Sequence, residues 1–213
     1  ANPDPLWSRG LGDVYKRQDA DIIVNYLTVG HGAATTPMVV NTVVGMNALE
    51  SNTTGHSNTA IGYKTLKDNS TGWENTGLGR SALYENTTGR NNVAIGDNAL
   101  HDNTTGGYNT ASGSQALYSN TTGEYNTASG YKAMYSNTSG RGNTAYGNIA
   151  LRDNTTAYDN TAMGSSALAS NTTGRRNTAT GSDALSGNTT GAYNTASGMQ
   201  SMSYNKTGDK NTA

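Results

Sequence analysis

Residues 92–108 read NVAIGDNALHDNTTGGY, and the residues on either side repeat that pattern without a gap. From Asn41 to Lys210 the chain is ten copies of a 17-residue unit, approximately N-T-A-x-G-x-x-A-L-x-x-N-T-T-G-x-x, followed by Asn211-Thr212-Ala213. The first Asn of the unit stands at Asn41, Asn58, Asn75, Asn92, Asn109, Asn126, Asn143, Asn160, Asn177 and Asn194, and again at Asn211. The second, at position twelve, stands at Asn52, Asn69, Asn86, Asn103, Asn120, Asn137, Asn154, Asn171, Asn188 and Asn205. Neither is ever replaced. A fixed period without insertions is the signature of a repeat architecture.

The unit is too short for a helix pair or a propeller blade. Its two glycines and its Asn-Thr-Thr run are also poor helix formers. Two turn signals per unit leave two short extended segments, T-A-x-G and the residues around A-L, such as Ala82-Leu83-Tyr84. Two strands and two turns make one coil of a β-solenoid, with coils stacked about 4.8 Å apart. The expected fold is therefore all-β: ten coils forming a rod roughly 48 Å long.

Position nine is the candidate core. It is Leu49, Leu66, Leu83, Leu100, Leu117, Met134, Leu151, Leu168, Leu185 and Met202. Ala at position three, as in Ala60 and Ala94, suits a narrow interior. The two Asn series are expected to form side-chain ladders from coil to coil. If position three points inward, position four points outward. There the chain has Val44, Ile61, Leu78 and Ile95 in its first four coils. One large apolar residue per coil is a thin private core for 17 ordered residues. Lateral association, most simply as a homotrimer, is the expected remedy.

Other features define the remainder. Net charge is −1, with no Cys and no Phe, and Leu, Ile and Val number only 25 of 213 residues. Low hydrophobicity alone would suggest disorder, but near-zero charge and strict phase argue against it. Balanced charge disfavours a nucleic-acid partner, and no apolar run is long enough to span a membrane. Residues 1–19 read as a non-native or disordered leader, and Pro5 to Gln18 resembles a translated sequencing-adapter scar. Residues 20–40 contain the strand-like DIIVNYLTVG at 21–30 and are expected to cap the first coil with a strand and a loop. The repeat domain, 41–213, is expected to be truncated at its C-terminal end.

The Asn-Thr-Thr run fits the N-glycosylation pattern in every coil, with Asn205-Lys206-Thr207 fitting too, beside its simpler role as a turn. Thr53 and Thr54 are adjacent, whereas a flat ice-binding face wants alternating Thr. The intermittent Asp residues do not match a calcium β-roll. His31, His56 and His101 share no zinc-ligand spacing. Tyr84, Tyr118 and Tyr135 share position ten, and Tyr108, Tyr125 and Tyr193 share position seventeen. Such rows either bind sugars and proteins or pack along the stack. No catalytic motif, cofactor site or metal site is expected.

Asn92-Val93-Ala94-Ile95-Gly96 and Asn58-Thr59-Ala60-Ile61-Gly62 resemble the coil motif in the heads of trimeric autotransporter adhesins. Residues 20–213 also resemble the repeat region of bacteriophage tail fibres that precedes an endosialidase-type chaperone domain. The adhesin resemblance implies left-handed parallel coils with three chains packed side by side, and the two together imply a fibre located extracellularly, at a cell surface or in a virion tail fibre. They imply a non-enzymatic segment that attaches to a host cell or surface through a glycan or protein receptor. A purely architectural filament and an ice- or glycan-binding solenoid are the alternatives. The 17-residue coil is longer than the usual adhesin coil. If position nine is the core, Leu83→Asp should abolish the cooperative thermal transition followed by circular dichroism, and Arg80→Asp should shift it little. Equal effects would overturn the inside–outside assignment.

Overall fold

The computed structural model describes residues 22–24, 27–30 and 40–213. The leader at 1–19 lies outside the described residues, as do 20–21, 25–26 and 31–39 of the capping segment. The chain is an all-β parallel β-solenoid with 17 residues per coil and no helix among the described residues.

Each coil contributes one three-residue strand from its positions two to four. These are β3 (Thr42–Val44), β4 (Thr59–Ile61), β5 (Thr76–Leu78), β6 (Val93–Ile95), β7 (Thr110–Ser112), β8 (Thr127–Ser129), β9 (Thr144–Tyr146), β10 (Thr161–Met163), β11 (Thr178–Thr180) and β12 (Thr195–Ser197). Neighbours pair in parallel and in register, as in Thr76↔Val93, Gly77↔Ala94 and Leu78↔Ile95. Two further strands, β1 (Ile22–Val24) and β2 (Leu27–Gly30), form an antiparallel hairpin. β2 pairs antiparallel with β3 through Val29↔Val44 and Gly30↔Val43. The stretch expected to hold one capping strand therefore holds two, and β2 occupies the edge that β3 would otherwise leave open.

The second strand expected around Ala-Leu is absent. Those residues form a turn, and positions seven and nine have left-handed backbone: Ser81 has φ 53° and Leu83 φ 54°. The burial pattern explains why. Ala82 and Leu83 are both fully buried, although they are adjacent. Successive residues of a strand face opposite sides. Left-handed residues on either side of Ala82 curl the chain so that both side chains enter the core. Left-handed backbone costs Leu about 1–2 kcal/mol, whereas burying it yields about 1.5–3 kcal/mol. Burial wins, so position nine keeps Leu or Met rather than Gly. At position five the conformation does demand glycine. Gly79 has φ 136°, and a Cβ there would run into the backbone of Gly96 in the next coil.

Hydrogen bonds join the coils outside the strands as well. Leu83 N–H donates to the Ala99 carbonyl at 3.0 Å and Glu85 N–H to that of His101 at 2.9 Å. Ser81 and Asn91 donate back to Tyr63 and Trp73, at 2.9 and 3.1 Å. The whole coil, not only its strand, is a rung of the ladder.

Leu49, Leu66, Leu83, Leu100, Leu117, Met134, Leu151, Leu168 and Leu185 are fully buried, and Met202 is partly buried against them. Ala residues at positions three and eight complete the apolar core. Position eight, including Ala82, Ala99 and Ala116, was not read as core from the sequence. Two neighbouring coils depart from this pattern together. Thr65 replaces Ala at position eight, and Gly77 replaces Ala at position three. A Cβ on Gly77 would collide with Thr65 Cγ2. The extra methyl of one coil thus occupies the space vacated by the next, and Thr65 Oγ1 donates to the Gly79 carbonyl at 2.7 Å. Gly77→Ala alone should lower unfolding free energy by about 1–3 kcal/mol through overpacking. Adding Thr65→Ala should recover most of that loss. Urea unfolding of the two single variants and the double variant measures this coupling.

Candidate functional site

Three sets of side chains repeat along the rod: the buried Asn ladders, the outer sheet face and the aromatic edges. The Asn ladders lie inside. Asn58 Oδ1 accepts from Asn75 N–H at 2.9 Å and from Asn75 Nδ2 at 3.2 Å. Asn58 Nδ2 donates to the Gly72 carbonyl at 2.9 Å. From position twelve, Asn69 Nδ2 donates to Asn52 Oδ1 at 2.8 Å and to the same Gly72 carbonyl at 3.1 Å. The two Asn series thus converge on one glycine carbonyl per coil. That carbonyl has no backbone donor, and the N–H of Asn75 has no backbone acceptor. Leaving a buried polar group unpaired costs about 1–3 kcal/mol. An Asn at each of these two positions supplies the missing partners with one acceptor and two donors. No buried side-chain nitrogen or oxygen lacks a partner among the described residues.

The ladders extend through Asn41, Asn92, Asn109, Asn126, Asn143, Asn160, Asn177 and Asn194, and through Asn86, Asn103, Asn120, Asn137, Asn154, Asn171 and Asn188. All are buried, while Asn205 in the last coil is half-buried. This decides the N-glycosylation question for the folded coils. The Asn52 to Asn188 amides face inward with their hydrogen bonds satisfied, and a glycan there would break the ladder. Position fifteen must also approach the ladder closely. It is Gly in nine coils and Ala157 in one, where the bond from Asn154 lengthens to 3.4 Å.

The outer sheet face carries positions two and four. Leu78, Ile95, Tyr146 and Met163 are each 41–45% exposed, and Val44 and Ile61 are half-buried. They share this face with Ser112, Ser129, Thr180 and Ser197 and with the Thr row at position two. Only β11 has Thr at both outward positions.

The aromatic rows stack on themselves. At position ten the order is Tyr84, His101, Tyr118, Tyr135, with ring centroids 5.0, 4.9 and 5.2 Å apart and interplanar angles of 4°, 6° and 18°. His101, which fills the gap in the Tyr series, was not recognised as part of this row from the sequence. Beside it lie Glu85 and Asp102 at position eleven. One ligand atom from each of Glu85, His101 and Asp102 falls within 4.8 Å of the others. Histidine spacing could not reveal this cluster, because Glu85 comes from one coil and His101-Asp102 from the next. The usable signal was acid at position eleven in consecutive coils. Burial, aided by Asp102, raises the Tyr118 phenol above its ordinary pKa.

On the other edge, positions sixteen and seventeen interleave aromatic rings with guanidinium groups. His56 stacks on Trp73 at 5.9 Å and Tyr108 on Tyr125 at 5.0 Å. Arg90 lies over both Trp73 and Tyr108. Hydrogen bonding to Arg175 and Arg176 lowers the Tyr193 phenol pKa. At position ten the four rings stack in one continuous row, whereas on the other edge rings stack only in pairs or lie against guanidinium groups, and Tyr125 remains 59% exposed.

Comparison with family models, with curated proteins and with solved structures found no match. No helix among the described residues is long and apolar enough to cross a membrane.

Asn109→Ala should lower unfolding free energy by about 2–4 kcal/mol, because the amides of Asn126 lose their partner. Thr105→Ala, at an exposed turn position, should cost less than about 0.5 kcal/mol. Chemical denaturation compares the two. Similar small effects would show that the ladder is not what holds the coils.

Proposed function

We propose that this chain is a structural, non-enzymatic fibre segment, a rod that presents a repetitive surface for attachment to a host cell or other surface. Phage tail fibres and bacterial surface adhesins are the proteins whose role it would share, at a cell surface, in the extracellular space or on a virion. The observation that carries this reading is the repetition itself. Side chains recur at one place per coil, in rows about 4.8 Å apart, and the rod's outer face and edges are made of such rows. A catalytic centre needs unlike groups converging on one point, whereas rows suit multivalent display. The most economical working form is a homotrimer packed through the outer sheet face. Leu78, Ile95, Tyr146 and Met163 support this form, since they leave apolar surface along that face with no cover from their own chain.

A purely architectural filament remains the second reading, favoured by the self-stacked aromatic rows. Light scattering on the full chain should give three times the 22.1 kDa chain mass. A Leu78→Lys/Ile95→Lys variant should give the single-chain mass with an unchanged β-type circular dichroism spectrum. A folded wild-type monomer would refute the trimer. Labelled trimer that binds bacterial cells supports attachment, and failure to bind any surface tested would favour the filament.

A further inference from the structure

We propose that Glu85, His101 and Asp102 bind one divalent transition-metal ion, of the zinc class, which clips the third coil of the rod to the fourth.

The first reason is geometry. Three ligand atoms of a zinc-binding type, one imidazole nitrogen and two carboxylate oxygens, lie within 4.8 Å of one another. Around tetrahedral zinc, bonds of about 2.0–2.2 Å place ligand atoms roughly 3.3–3.6 Å apart. Small carboxylate rotations close the difference. Solvent can complete the coordination sphere, because Glu85 is exposed and the other two are half-buried.

The second reason is preorganisation. Tyr84 and Tyr118 sandwich the His101 ring at 5.0 and 4.9 Å, nearly parallel to it. The imidazole plane is therefore held, and its Nδ1 faces the Asp102 carboxylate. Nδ1 lies 2.6 Å from Asp102 Oδ1. That contact is a hydrogen bond, and a metal ion binding there would displace its hydrogen.

The third reason is charge, read against the other coils. Where position eleven is acidic elsewhere on this edge, position ten supplies a cation. Lys67 pairs with Asp68 at 3.1 Å, and Arg152 pairs with Asp153 at 2.6 Å. Glu85 and Asp102 differ. Between them they have no Lys or Arg partner among the ion pairs of the described residues, and Asp102 has only the imidazole. Lys67, the nearest cation along the row, is engaged by Asp68 and Glu50. Among the described residues, two carboxylates on adjacent coils beside a metal-ligating side chain form the one place on this edge where a Lys or Arg partner is missing.

The test is zinc titration by calorimetry on the full chain after metal removal with EDTA, in a non-chelating buffer. One equivalent should bind per chain, with a dissociation constant at or below about 10 µM. His101→Phe keeps a ring in the stack and removes the nitrogen, so that equivalent should disappear. Glu85→Gln should weaken it roughly tenfold or more. His56→Ala, a change on the opposite edge, should leave it intact. Cobalt(II) should show a visible absorption band that is lost in the same two variants. No saturable zinc binding by the wild type, or unchanged binding by His101→Phe, would overturn the proposal. Should circular dichroism show that His101→Phe does not fold, exposed Glu85→Gln decides the question, and unchanged affinity in that variant would be equally fatal.

Discussion

The rod depends on the hydrogen bonding of one coil to the next, and the buried Asn ladders complete it. Strand and turn amides find partners one coil away, but the turn geometry strands two groups per coil inside: the carbonyl at position fifteen and the N–H at position one. Only a short side chain with both a donor and an acceptor can serve them. Asp would lack the donor, and Leu would lack both. An Asn at each of two positions in every coil is thus a consequence of polar satisfaction in a narrow interior. Its orientation follows as well, because rotating the amide would set NH2 against N–H and oxygen against carbonyl.

The apolar core runs alongside that ladder. Each coil offers space for one large side chain and two small ones. One pair of departures compensates across coils, Thr65 with Gly77. The left-handed backbone at position nine is the conformational cost of bringing Ala and Leu inward from adjacent positions. Sheet pairing alone could not achieve this, since a strand would have sent one of them outward.

The surface follows a different logic. Side chains outside the core are free to vary, yet stacking gives every one of them neighbours of the same position number. Rings therefore meet rings, as in Tyr84, His101, Tyr118 and Tyr135, and acids meet acids unless a cation intervenes. The repeat that builds the rod also creates these local interactions, which no coil would make in isolation. Residues 17 apart become direct neighbours through this stacking.

The period, the solenoid class, the outward direction of position four, the unreplaced Asn positions and the Leu-or-Met position nine were all legible in the sequence. They are set by what a single coil must do, and the coil is written ten times. The absence of a second strand was not legible, because left-handed backbone at Leu83 is chosen only when Ala82 and Leu83 must share one core. The inward pointing of the Asn amides was likewise hidden, since Asn-Thr-Thr-Gly reads equally well as an exposed turn. The convergence of Glu85, His101 and Asp102 depended on registration between coils. Sequence determined what repeats; the tertiary structure decided which face of each repeated residue meets which neighbour, because that depends on backbone handedness and coil-to-coil register rather than on residue type.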